Sequence, residues 1–125
     1  MASSPTSCAV RSRFRSDTGS VTAEFATLVP AVLLVLAFCL GAILVVTQQV
    51  RMTDAAADGA RSLARGDSAG QAASRVHKST GGAAVSHSRD GDFVCVQVSA
   101  PAAFAPAAAL GITVTARGCA LAGGL

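Results

Sequence analysis

The sequence predicts an α+β chain: a long N-terminal transmembrane α-helix extending out of the membrane, a short second helix, and a small antiparallel three-stranded C-terminal sheet. Three observations predict it. Residues 25–47 run for 23 positions without a charge. Helix-compatible spacing of Ala and Leu then continues to the neighbourhood of Gly66. Beyond Gly82 the apolar period falls to two, the signature of strands. The expected divisions are a basic leader at 1–19, a transmembrane and extended helix at 20–66, and a small extracytoplasmic α/β region at 67–125.

The leader carries Arg11, Arg13 and Arg15, three of the ten basic residues. From Ser20 onward seven Lys/Arg face six Asp/Glu, so the remaining charge is close to neutral. A short basic tail without interleaved aromatics or a binding fold does not argue for nucleic acid. The segment "FATLVPAVLLVLAFCLGAILVVT" is about 34 Å of helix at ~1.5 Å per residue, enough to span a ~30 Å hydrocarbon core. A buried core helix is excluded because nothing else in the chain can cover an all-round apolar helix. The length of the run and the absence of an A-x-A site at its end argue against a cleavable secretory signal, which stays a third reading. Pro30 removes one backbone hydrogen bond and predicts a loosened turn. Ala37 and Gly41 form a small-xxx-small pair, which permits close approach of another helix. The compact arginine cluster places the leader on the cytoplasmic side and the C-terminus outside, in a single-pass arrangement.

The helix is expected from about Val21 to Arg65, with Val46, Val50, Ala57, Ala60 and Ala64 at helical spacing. "DSAGQAASRVHKSTGG" reads as a second helix, capped by Asp67 or Ser68 and stopped by Gly81–Gly82. Strands are expected at 83–88, 93–100 and 111–121, with "RDGD" as a turn and "PAAFAPAAAL" as a Pro/Ala connector. The expected core draws on Val85, Phe93, Val94, Val96, Val98, Phe104, Leu110, Ile112, Val114 and Leu121. So small a unit needs a staple or a neighbour. Cys95 and Cys119 could supply a disulfide across strands in an oxidising compartment; two small buried thiols are the other reading. His77, His87 and the cysteines match no metal-ligand spacing, so neither metal nor cofactor is expected. No nucleophile–base pair, phosphate loop or paired acid predicts an enzyme or a small-molecule substrate.

"DTGSVTAEF" remains to be explained. A basic leader, Gly19, four residues, then Glu24, Phe25 and an apolar helix resembles a type IV prepilin signal. More narrowly, "GSVTAEFATLVPAVLLVLAF" is similar to the TadE-like minor pilins, or pseudopilins, of tight-adherence pilus systems. The resemblance covers residues 15–50 well and 51–66 loosely. It implies cleavage between Gly19 and Ser20 by a prepilin peptidase. It also implies an assembly or register role for Glu24 and Phe25, and partners among other pilins, pseudopilins and the pilus assembly platform. Two features depart from the common prepilin pattern: Ser20 follows the glycine, and Asp17 and Thr18 separate it from Arg15. Glycine suits a cleavage site because it presents no side chain. An acid at the helix mouth costs less than the ~2.5–3.5 kcal/mol of one at the bilayer centre. The rival reading is an uncleaved single-pass anchor carrying an extracytoplasmic binding module.

Overall fold

The computed structural model describes residues 18–123. The basic leader, with Cys8, Arg11, Arg13 and Arg15, lies outside the described residues up to position 17. Helix α1 runs Thr18–Ala64 without interruption, through Pro30. It starts three residues before the expected Val21. Helix α2 is Ala69–Thr80, and strands β1 (Ala84–Asp90) and β2 (Phe93–Pro101) follow. A short helix α3, Ala105–Ala109, precedes strand β3, Thr113–Leu121. The chain divides into two units, 1–35 and 36–125. The first contributes the opening of α1. The second holds the remainder of α1 with everything after it.

Each boundary has a local cause. Ser68 caps α2 by accepting from the Gln71 N–H while the Gln71 side chain accepts from the Ser68 N–H, a reciprocal capping box. Gly81 ends α2 in the left-handed region at φ 72°, where a β-carbon would be strained. Gly91 makes the tight β1–β2 turn at φ 58°. The connector expected to be irregular contains α3 because Pro106 occupies its first turn, where a missing N–H costs nothing.

The sheet is antiparallel in the order β1-β2-β3. Its register places Val96 opposite Gly118, Val98 opposite Ala116 and Ala100 opposite Val114 on one face. Cys95–Cys119, Gln97–Arg117 and Phe93–Leu121 fall on the other. The first face packs on α1. Met52, Ala55, Ala56, Gly59 and Ala60 form the buried stripe of the helix, spaced 3, 4, 7 and 8 residues on from Met52. Val76 of α2 closes one side.

One expectation about packing is corrected: Phe93, Leu110, Ile112 and Leu121 are exposed and not in the core. Val46 and Val50 lie on α1 as their helical spacing predicts but are 63% and 55% exposed, and the buried face of the helix is that of Met52. Phe93 and Leu121 belong to the outer face by register. Leu110 and Ile112 flank the turn before β3. The core is built instead from small residues, which let main chains approach closely. A β-carbon on Gly118 would lie 2.5 Å from the Ala57 amide nitrogen.

Candidate functional site

The entrance of α1 comes first. Gly19 and Ser20 fall in the first turn of the helix, where N–H groups have no intrahelical partner and opening is cheap. Glu24 follows in the second turn and is exposed. Phe25 beside it is 66% exposed. The Thr27 hydroxyl donates to the Glu24 carbonyl at 2.9 Å, so this polar side chain is satisfied by its own helix. From Phe25 to Val46 the large apolar side chains stand exposed, except the half-buried Val45. This is the one described helix long and apolar enough to cross a membrane. Thr47, at the end of the run, donates to the Ile43 carbonyl at 2.8 Å. Both hydroxyls thus avoid presenting an unpaired donor to hydrocarbon.

A second polar station lies at Gln48 and Gln49. The Gln48 side-chain nitrogen donates to the Pro101 carbonyl at 2.7 Å, and its oxygen accepts from the Ala103 N–H at 2.6 Å. Gln49 donates to the Thr115 carbonyl at 3.2 Å. These amides tie α1 to the ends of β2 and β3. Sequence reasoning missed them, although paired glutamines directly after an uncharged run were the available signal.

A β-carbon at Gly41 would lie 2.6 Å from the Phe104 ring, so the space this small residue leaves admits an aromatic side chain of its own chain. Phe38 meets the same ring edge-on, with centroids 6.1 Å apart.

On the outer face of the sheet, Cys95 and Cys119 are directly opposed and joined, Sγ to Sγ, at 2.04 Å. Cys39 is a free and exposed thiol on α1. Among the described residues no three His, Cys, Asp or Glu side chains gather as a metal site. The expected cleavage residues Gly19 and Ser20 and the Glu24–Phe25 pair follow one another at the start of α1, and the disulfide joins β2 to β3.

Residues 19–61 match the model of the family described as TadE-like protein. Over this helix the chain is similar to that family. The match begins at Gly19 and ends within the stripe that packs on the sheet. TadE-like proteins form a pilus structural and assembly family, not an enzymatic one. No curated protein and no solved structure is matched by the chain. The TadE-like segment thus contains both the exposed apolar stretch and most of the helical surface that carries the head.

Proposed function

We propose that this TadE-like chain is a minor pilin or pseudopilin that serves in assembling a pilus or a related secretion apparatus. Prepilin peptidase cuts between Gly19 and Ser20. The apolar part of α1 anchors the chain with its N-terminus cytoplasmic and its head extracytoplasmic. Glu24 and Phe25 set register against neighbouring pilins, and the head faces the assembly platform or other subunits.

The observation that carries this reading is the combination at the helix entrance. A family match opening at Gly19 takes in Glu24–Phe25 and then an apolar helix whose large side chains are mostly exposed. The cross-strand disulfide supports an outward head, since such bonds persist in oxidising compartments. Location of the scissile bond in the first turn supports cleavage, because a peptidase can open that turn without breaking a packed core.

The test is co-expression with a matching prepilin peptidase, read by intact mass. The expected product begins at Ser20, and Gly19→Val leaves the leader attached. Glu24→Gln is expected to insert and be cut yet fail to assemble. A wild-type chain still beginning at Met1 or Ala2 beside an active peptidase would refute the proposal.

A further inference from the structure

The apolar run and the head overlap. Residues 38–47 belong to the uncharged stretch, and the connector 101–112 lies against that part of α1. Phe104 sits over Gly41 and against Phe38. An apolar groove of about 520 Å³ follows the same seam, lined among others by Phe38, Gly41, Val45, Phe104, Leu110 and Ile112. We propose that this connector is a lipid-immersed element, seated in the outer leaflet beside α1 and covered there by acyl chains. The inference rests on the membrane reading of α1 and adds a second membrane contact from the far half of the sequence.

Four observations argue for lipid as the occupant. First, the ten residues 38–47 occupy about 15 Å of helix, roughly half of a ~30 Å hydrocarbon core. If the full run spans the bilayer, a segment docked at its outer end must enter one leaflet. Second, the connector is dressed for that position. No charge occurs anywhere from residue 93 to residue 116. Leu110 is 81% exposed and Ile112 50%, a costly display of large apolar side chains to water.

Third, much of the connector's backbone is paired, which lowers the cost of non-helical chain at membrane depth, although the first N–H groups of α3 have no side-chain cap. Pro101 and Pro106 have no N–H to satisfy. The Ala102 N–H donates to the Ile112 carbonyl and the Ile112 N–H to the Ala107 carbonyl, each at 3.0 Å. The N–H groups of Ala108, Leu110 and Gly111 are taken within the same segment. Gln48 accepts from the Ala103 N–H and donates to the Pro101 carbonyl, closing the outer end. Fourth, the exposed apolar surface of the connector is continuous with that of α1 along the groove, so one solvent serves both. A second copy of the chain is the competing occupant. Nothing in the groove offers the polar rim that a specific protein interface carries.

The experiment places an environment-sensitive fluorophore at Leu110→Cys, and separately at Ile112→Cys, in full-length protein whose Cys8 and Cys39 are replaced by Ser. A label at Leu33→Cys reports the span itself, and one at Ser88→Cys reports the exposed β1 edge. Each protein is placed in phosphatidylcholine nanodiscs with and without doxyl-labelled lipid, and iodide serves as the aqueous quencher. Labels at 33, 110 and 112 are expected to be quenched by doxyl lipid and protected from iodide, with the reverse at 88. Lipid quenching at 33 with iodide quenching at 110 and 112 overturns the inference while leaving the anchor intact. Labels at 110 and 112 quenched by neither reagent reveal burial against another protein copy and also overturn it. Absence of lipid quenching at 33 removes the membrane reading, and the inference with it.

Discussion

Gly118→Ala should be the most damaging single-methyl change in the head. Gly118 lies opposite Val96 in the ladder and faces α1. An added β-carbon would lie 2.5 Å from the Ala57 nitrogen and 2.7 Å from both the Ala56 carbonyl carbon and the Ala57 Cα. All three are main-chain atoms of a helix, so no side chain can rotate away. Ordinary contact is about 3.5 Å or more, which means β3 must retreat by about 1 Å. A gap of that size forfeits a quarter to a half of the dispersion attraction between the surfaces it parts. Here those surfaces carry Val96, Val98 and Ala116 on one side and Ala56 and Ala60 on the other. The expected cost is about 2 kcal/mol, within the ~1–3 kcal/mol of overpacking changes. At ~4–8 °C per kcal/mol for a unit of this size, the melting temperature falls by roughly 8–16 °C. Circular dichroism melts in detergent read this directly. Gly70→Ala is the matched control: it adds the same methyl in α2 with nothing within 4 Å, and helix propensity favours alanine there. A Gly118→Ala protein that melts with the wild type would refute the close-approach argument.

Other changes probe different parts of the same structure. Replacing both Cys95 and Cys119 by Ala opens a link between residues 24 apart in sequence, and a loop of about that length predicts a loss of ~3.5 kcal/mol by chain entropy. Urea titration of the oxidised chain against the double variant measures it. Ser62 is fully buried and its hydroxyl donates to Asp67 at 2.5 Å; Ser62→Ala should cost about 1–3 kcal/mol by that measurement, because the carboxylate loses a donor. Gly81→Ala forces a β-carbon into the left-handed C-cap of α2, and about 1 kcal/mol should be lost, with faster hydrogen exchange confined to the end of that helix.

The periodicities were legible because they are set by backbone geometry. The long uncharged run of α1 gives its length, and a two-residue repeat over β2 and β3 survives any substitution that preserves polarity. The caps at Ser68 and Gly81 were legible for the same reason, since a turn admits few residue types. The core was read less well. Hydrophobicity pointed to Phe93, Leu110, Ile112 and Leu121, all exposed, and overlooked Met52 and Ala56, both buried. Burial here is decided by which face approaches another main chain, and a stripe of alanine and glycine looks featureless in sequence. Gly41 shows the same limit. Its smallness was visible, but what the space admits is Phe104, 63 residues later. Helix α3 was missed because "PAAFAPAAAL" offers no amphipathic period, although Pro106 is a helix-start residue. At the entrance, Gly19, Ser20, Glu24 and Phe25 stood out in sequence because their spacing is local and needs no tertiary contact.

The structure also alters what the proposed cut would accomplish. In the uncut chain α1 begins at Thr18, so Glu24 is its seventh residue and no acid lies in the first turn. The positive end of a helix dipole acts mainly within that turn. Removal of residues 1–19 would make Ser20 the first helical residue and Glu24 the fifth, about 6 Å along the axis from a new amine. The amine has a reference pKa near 8 and is cationic at neutral pH. Cleavage would therefore supply Glu24 with two favourable fields it lacks before the cut: the helix end itself and a full positive charge. On the proposed reading, the amines of neighbouring processed subunits would offer the same charge, Glu24 would become a register mark only after processing, and unprocessed chains would be kept out of assembly.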